Sequence, residues 1–240
     1  LMCIVNNNGC TSSDMVTLLF TSPPSPDAGN NGNECDLNHT LAATPSVGTG
    51  TWTLVFGPGS SLFSNVNDPA ATVTVSTYGT YIFRWTEDNG SCTGSDDVTV
   101  NFFMQPNSDA GIPDTSCGLS YSLSAFPSIG IGQWNQISGT GTAIFSNPNS
   151  FNSMVTVSLF GSYILQWKEA NVTCSDSDAV QVDFFSPPTP TAGTGASACG
   201  SQFTLTGTSG GGIVAWSQLF GPGVTIFSTP TSAICDVSVN

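Results

Sequence analysis

The sequence predicts an all-β chain of tandem sandwich domains, and three observations support that prediction. The chain repeats itself with a period of 82, so that Asp27 recurs as Asp109. Within each period, apolar residues alternate with polar ones at every second position, as in half-buried strands. No segment has the apolar spacing of a helix. About seven short strands are therefore expected per repeat, which is typical of two packed antiparallel sheets.

The repeat is clearest where a DAG-like sequence precedes a cysteine. DAGNNGNEC begins at Asp27, DAGIPDTSC at Asp109 and TAGTGASAC at Thr191. Such self-similarity indicates an array of units. It predicts complete repeats at 27–108 and 109–190, the tail of an earlier repeat at 1–26 and the head of a later one at 191–240.

Strands, turns and connectors follow in order along each repeat. Tyr81, Phe83 and Trp85 point to one side of a strand and their neighbours to the other, as do the valines of ATVTVS at 71–76. Beyond Trp52 this alternation slips, which predicts a β-bulge or a strand edge. Proline-rich connectors at 21–26, 104–108 and 186–190 favour extended geometry, so we expect a semi-rigid rod.

The charge composition excludes several classes of function. Lys and Arg number 2 against 16 Asp and Glu, giving a formal net charge of −14. Phosphate neutralisation needs several cations, so a nucleic-acid partner is excluded, and so is a basic membrane-surface helix. No apolar run approaches the roughly 18 residues of a membrane span. The 39% hydrophobic content still suffices for packed cores.

The cysteine spacing predicts one disulfide in each complete repeat. Cys92 follows Cys35 at the same spacing at which Cys174 follows Cys117 (92 − 35 = 174 − 117 = 57). Two thiols per repeat and one histidine in the chain cannot supply the four ligands of a zinc site. The expected bonds are therefore 35–92 and 117–174, and they indicate an extracellular protein.

Four cysteines lie in the partial repeats. Cys3 occupies the position of Trp85, and Cys235 that of Ala71. We hypothesise that residues 191–240 combine with a segment like 1–26 into one sandwich, in which Cys199 pairs with an equivalent of Cys10 and Cys235 with an equivalent of Cys3. The alternative is that the odd thiols are buried or pair elsewhere. The junction would join neighbouring domains of one chain or separate copies of the protein.

No catalytic constellation is present in the sequence. The single histidine, His39, is replaced by Tyr121 and Phe203 in the other repeats. A nucleophile–histidine arrangement is therefore not expected, and the chain is predicted not to be an enzyme.

Recurring carboxylates are the candidate metal ligands. Asp96 and Asp178 stand at the start of the last strand of each repeat, Asp27 and Asp109 open the repeats, and Glu87 and Glu169 follow a tryptophan by two residues. Converging carboxylates bind Ca²⁺. The alternative, that they accept hydrogen bonds in turns, is favoured because no calcium-loop motif occurs. We therefore expect no cofactor, with calcium as the minority interpretation.

The periodic tryptophans suggest either a core or a ligand surface. An exposed row formed by Trp52, Trp134 and Trp216 would stack sugars, which makes surface glycans candidate partners. A periodic tryptophan near a domain disulfide is more often buried in the core.

These motifs together resemble the PKD-like, immunoglobulin-like repeats of very large secreted adhesins of Bacteroidetes, including gliding-motility-associated ones. The resemblance rests on GTGTW at 48–52, GPG at 57–59, GTYIFRW at 79–85 and NGSC at 89–92. SGTG at 138–141 departs from GPG, and Cys3 departs from tryptophan. The resemblance implies export to the bacterial cell surface, through the type IX route, and a role in adhesion or as a stalk or filament.

The favoured function is accordingly a non-enzymatic structural rod whose partners are neighbouring copies or domains of the same protein. The alternatives are a glycan-binding array and the spacer domains of a larger secreted enzyme.

Overall fold

The computed structural model describes all 240 residues, and its regular elements are strands. None of the chain is a helix long and apolar enough to traverse a membrane. Residues 1–26 form a hairpin of β1 (Met2–Asn7) and β2 (Cys10–Met15). The strands of residues 27–108 are β3 (Gly32–Glu34), β4 (Asn38–Thr40), β5 (Thr49–Phe56), β6 (Ser61–Phe63), β7 (Thr72–Val75), β8 (Gly79–Asp88) and β9 (Thr93–Phe102).

The second repeat has the same seven strands. They are β10 (Asp114–Cys117), β11 (Ser120–Ser122), β12 (Ile131–Gly139), β13 (Ala143–Phe145), β14 (Met154–Val157), β15 (Gly161–Asn171) and β16 (Cys174–Phe185). Residues 191–240 contribute three more, which are β17 (Gln202–Thr206), β18 (Thr225–Phe227) and β19 (Ile234–Val239).

Each complete repeat is a sandwich of two sheets. In the first, the sheet β3-β9-β8-β5 packs on the sheet β4-β7-β6, and in the second β10-β16-β15-β12 packs on β11-β14-β13. All pairs are antiparallel except the first and last strands of each repeat, which run parallel. This topology confirms the predicted all-β fold of tandem immunoglobulin-like sandwiches with seven strands each.

The predicted alternation places the cores. Tyr81, Phe83 and Trp85 of β8 point inward and are fully buried, and they belong to a cluster of 12 buried apolar residues. The hydroxyl of Tyr81 donates to the carbonyl of Thr77 at 2.9 Å, and that of Tyr163 donates to Leu159 at 2.8 Å. Such a tyrosine corner, bonding back to the backbone, is a recurring device of immunoglobulin-like domains.

The predicted bulge after the first tryptophan is confirmed. The pairing of β5 with β8 shifts register between Leu54 and Phe56, and that of β12 with β15 shifts between Gln136 and Ser138. In the second repeat, the amide of Gln136 donates to the carbonyl of Gly141 at 2.6 Å and accepts from the backbone of Ala143 at 2.7 Å. These two hydrogen bonds close the turn that follows β12, which explains why glutamine occupies the position that Leu54 has in the first repeat.

Residues 191–240 hold three of the strands found in a complete sandwich. Their sheet has the order β17-β19-β18, and Cys235 is buried on it. This segment has no counterparts of β8 and β9. The hairpin β1–β2 lies one period before the end of β8 and the start of β9, and its apolar side chains, such as Val5 and Met15, are exposed.

Candidate functional site

The tryptophans of the complete repeats are core residues. Trp52 and Trp134 are each 1% exposed, and their rings pack against Trp85 at 5.2 Å and Trp167 at 5.3 Å. The prediction of a sugar-stacking platform is wrong for Trp52 and Trp134, because no ring face is left for a ligand. Trp216, which lies in residues 191–240, is half-buried.

The recurring aspartates are engaged by backbone amides. Asp96 accepts from the amide of Ala28 at 2.9 Å, and Asp178 accepts from Ala110 at the same distance. Asp27 and Asp109 each accept from the glycine two residues later at 2.8 Å. The contacts of Asp27 and Asp109 are those of the turn-forming alternative, whereas those of Asp96 and Asp178 tie the last strand to the start of its repeat across 68 residues of sequence. No three of the chain's His, Cys, Asp and Glu side chains are gathered where they could hold a metal ion.

The disulfide of the structure joins the two complete repeats to each other. It links Cys35 to Cys174, whose Cα atoms lie 5.5 Å apart across 139 residues of sequence. Cys92 and Cys117 are free. The prediction of one bond within each repeat, 35–92 and 117–174, is therefore wrong: the bond lies between the repeats.

The parallel pairing of the first and last strands explains the correction. Glu34 pairs with Phe102 at the end of β9, so Cys35 lies at that end of the sheet, whereas Cys92 directly precedes the start of β9. At about 3.3 Å per residue the two cysteines are roughly 30 Å apart, far beyond the reach of a disulfide.

The second repeat has the same geometry. Cys117 pairs in register with Phe185, the last residue of β16, and Cys174 is its first residue. We call the end of a repeat at which its last strand begins its proximal end, and the end at which that strand finishes its distal end. Each complete repeat thus has one distal cysteine and one proximal cysteine.

The same geometry corrects the hypothesis for the partial repeats. Cys199 is the positional equivalent of the distal cysteines, and Cys10 that of the proximal ones. They cannot pair within one sandwich, because they would lie at its opposite ends. Cys3 and Cys235 are also free, and their pairing with equivalents in an adjoining unit stays a prediction.

The junction between the repeats is the candidate functional site. Cys35 at the distal end of the first repeat bonds Cys174 at the proximal end of the second, and the Cys174 sulfur lies 3.8 Å from the carbonyl oxygen of Glu34. The backbone amide of Phe103, just before the connector, donates to that same carbonyl at 2.8 Å. Two covalent links, the connector and the disulfide, therefore cross the junction side by side.

The connector 104–108 is fixed to the second repeat by hydrogen bonds. The side-chain amide of Asn171 donates to the carbonyl of Met104 at 2.9 Å, and that of Gln105 donates to Ser175 at 2.8 Å. The backbone of Asn107 donates to the hydroxyl of Ser128 at 2.9 Å. Pro106 is buried. The predicted stiff spacer is thus held against the following repeat.

The connector 21–26 is fixed to the first repeat in the same manner. Asn89 donates to the carbonyl of Ser22 at 2.6 Å, and the backbone of Ser25 donates to the hydroxyl of Ser46 at 2.8 Å. Pro24 is buried. The proximal ends of the two complete repeats therefore receive their connectors through equivalent contacts.

Buried glutamates support these proximal ends. Glu87 has no exposed surface and accepts from the backbones of Ser46 and Val47, the hydroxyl of Ser46 and the indole of Trp85. Burial opposes ionisation, but these hydrogen bonds outweigh it and lower the pKa of Glu87 to about 2. Glu169 bonds Ser128 in the second repeat in the same way. Both carboxylates organise the loop on which the connector rests.

Two further sequence candidates have structural contacts. His39 Nδ1 lies 2.6 Å from a carboxylate oxygen of Glu34, next to the bonded Cys35. Arg84 forms a two-pronged ion pair with Asp97 on the solvent face of the sheet, with distances of 2.6 and 2.8 Å. Neither is accompanied by a nucleophile in an arrangement for catalysis.

Comparisons with known proteins gave matches among solved structures alone. No protein-family model matches the chain, and no curated protein does. The chain is similar to a three-Ig structure of titin domains I67–I69, an E-to-A variant, at 16% identity and a TM-score of 0.46, covering 92% of this chain and 89% of that one.

Two further structures are similar at lower scores. The N-terminal eight Ig domains of Down Syndrome Cell Adhesion Molecule match at 14% identity and a TM-score of 0.40, over 100% of this chain and 41% of that one. The insect immune protein hemolin matches at 8% identity and a TM-score of 0.41, over 77% and 55%. At these identities the likeness concerns the fold alone.

Proposed function

We propose that this chain is a structural, non-enzymatic region of an extracellular adhesin, stalk or filament of the bacterial cell surface. Its work is mechanical: it spans distance and transmits tension along a semi-rigid row of sandwiches. The observation that carries the proposal is the Cys35–Cys174 bond across a domain junction.

The junction bond supports a rod, because domains joined by one connector move freely by default. Here a second covalent link lies beside the connector, and several hydrogen bonds tie the connector to the following repeat. Bending or twisting at the junction would strain both links. A binding module has no need of such a device, whereas a rod under tension does.

The compartment follows from the same bond and from the surface. Disulfides persist in oxidising environments and are rare in the cytosol. Only 8% of the residues are charged, and Lys and Arg together number 2, so proteases that cleave after basic residues find almost no sites. The resemblance of the repeats to those of secreted Bacteroidetes adhesins supports the bacterial surface in particular.

The glycan-binding alternative loses its main support, because Trp52 and Trp134 are buried. Glycans as partners stay a prediction. A spacer role in a larger secreted enzyme would use the same mechanics, and it differs from the proposal only in what lies beyond the repeats.

Immuno-electron microscopy tests the proposal directly. Antibodies raised against the folded chain are applied to intact source cells and, in parallel, to permeabilised ones. We expect intact cells to be labelled along thin, straight surface fibres, and alkylation of the native material without reduction to leave Cys35 and Cys174 unmodified. Labelling that appears only after permeabilisation, or free thiols at both positions, would contradict the proposal.

A further inference from the structure

We propose that the Cys35–Cys174 bond is one member of a ladder with a disulfide at every junction. Cys117 bonds the proximal cysteine of the repeat that follows, and Cys92 bonds the distal cysteine of the repeat that precedes. This inference rests on the proposed function and deepens it, since it names the partner of each free thiol as a neighbouring repeat of the same array.

Cys117 has the environment of a distal half of this bond. It lies one period after Cys35, is the last residue of a first strand that pairs parallel with the last strand, and is exposed. Gly118 donates its amide to the carbonyl of Phe185 at 3.0 Å, which fixes the chain at the distal end of the second repeat. No cysteine of its own repeat lies within reach, because Cys174 begins the long strand β16 at the opposite end.

Cys92 has the environment of a proximal half. Asn89 holds the carbonyl of Ser22 as Asn171 holds that of Met104 at the bonded junction. The Cys92 sulfur lies 4.0 Å from the hydroxyl of Thr21, one period before Phe103. The connector is thus seated around Cys92 as it is around Cys174, and the missing component is the distal cysteine of a preceding repeat.

The chemistry is an ordinary thiol–disulfide exchange. The two thiols of a junction lose two protons and two electrons and form one S–S bond, while a disulfide oxidant, a small-molecule disulfide or a disulfide oxidoreductase, is reduced to two thiols. Exchange proceeds through attack by a thiolate, and the exposed Cys117 is accessible for it.

A complete ladder makes the array nearly inextensible. From a proximal cysteine such as Cys174, the covalent path follows the last strand of one repeat and the first strand of the next to a distal cysteine such as Cys199 (199 − 174 = 25). Fully stretched, this path spans at most about 90 Å. The two repeats it crosses are already about 70 Å long by the strand rise. Unfolding therefore adds little length.

Extending the full chain tests the ladder. Residues 77–108 are appended after Asn240, which keeps the period of the array and supplies a copy of Cys92 in the third repeat. The chain is refolded with reduced and oxidised glutathione, alkylated, digested with pepsin without reduction and analysed by mass spectrometry. We expect a cross-linked peptide that joins Cys117 to the appended copy of Cys92, besides the Cys35–Cys174 peptide.

Variants of the extended chain provide the controls. C117S should leave the appended cysteine open to alkylation, whereas C235S, which introduces the residue found at the equivalent Ser153, should leave the cross-link intact. Appending residues 159–190 instead completes the third repeat with a different sequence. In that chain we expect Cys117 to be cross-linked to the appended copy of Cys174.

The outcomes separate the ladder from the proposed function. If Cys35–Cys174 forms while Cys117 and the appended cysteine stay free in both extended chains, the ladder is wrong and the rod stands. If Cys35 is found bonded to Cys92 and Cys117 to Cys174, the ladder and the observation behind the proposed function are both overturned.

Discussion

At the scale of single residues, the tryptophan pairs depend on a glycine that faces them. An added Cβ at Gly50 would overlap the ring of Trp85, and one at Gly132 would overlap the ring of Trp167. GTGTW is therefore a packing motif: the glycine makes room for the second tryptophan of the pair.

Replacing this glycine should destabilise one repeat only. In Gly50→Ala the backbone or the buried Trp85 must shift, so we expect a loss of about 3 kcal/mol in the unfolding free energy of residues 27–108. Native-state hydrogen exchange of core amides in both repeats measures it. Gly132→Ala should act on the second repeat instead, and Gly195→Ala, with nothing within 4 Å of the added carbon, on neither. Equal effects of all three substitutions would refute the packing role.

The buried Glu87 gives a prediction for pH. Its pKa of about 2 lies below its ordinary value of 4.5, so its stabilisation is complete above about pH 4.5 and is lost as the pH falls toward 2. Glu87→Gln should lower the unfolding free energy of the first repeat by about 3 kcal/mol at neutral pH, because buried donors lose a charged acceptor. The difference from the natural chain should shrink at pH 2.5.

The control for Glu87 is the exposed ion pair. Asp97→Asn removes the partner of Arg84 on the solvent face, and such exposed ion pairs contribute little to stability because solvent screens them. Urea unfolding monitored by hydrogen exchange at pH 7, 4 and 2.5 compares the variants. A Glu87→Gln difference that does not change with pH would show that the charge is not what stabilises the loop.

At the scale of elements, the connectors are the parts whose contacts set the geometry of the array. Asn171→Ala removes the hydrogen bond to Met104, and we expect chymotrypsin to cleave near Phe103 several-fold faster than in the natural chain. Gln181→Ala, whose side chain bonds Asp183 on the same sheet instead of the connector, is the matched control. Unchanged cleavage in Asn171→Ala would mean that the hydrogen bond from Asn171 does not hold the connector.

The elements could be predicted from the sequence because their signal is local. Alternation identified the strands around Phe83, and its slip after Trp52 identified the bulge. The same alternation puts Glu87 on the inner face with Phe83, which is the signal for a buried, hydrogen-bonded carboxylate. Its partners, Ser46 and Val47, lie far away in the sequence, in the loop that precedes β5, and no local pattern reveals them.

At the scale of the whole molecule, the disulfide was the feature that spacing could not settle. In a periodic chain, a bond within a repeat and a bond to the next repeat differ in sequence separation by one period. Both therefore recur with equal regularity. The parallel pairing of first and last strands decides between them, because it separates the two cysteines of a repeat by the length of a strand.

The junction bond also changes the unfolded chain. Closing a loop of 139 residues lowers the conformational entropy of the unfolded chain, which raises its free energy by about 5 kcal/mol in the chain-entropy model. Because the bond joins two repeats, this stabilisation belongs to the pair and not to either repeat alone. Tension applied along the chain should then pass from Cys35 to Cys174 without entering most of either sandwich.

Single-molecule force spectroscopy of the chain, held at its two ends, tests this most directly. Under oxidising conditions we predict that the loop between Cys35 and Cys174 does not extend when the domains unfold. The unfolded chain should therefore be about 500 Å shorter in contour length than the reduced chain or C35S. Two separate hidden loops of about 200 Å each, or equal lengths with and without reductant, would contradict the account.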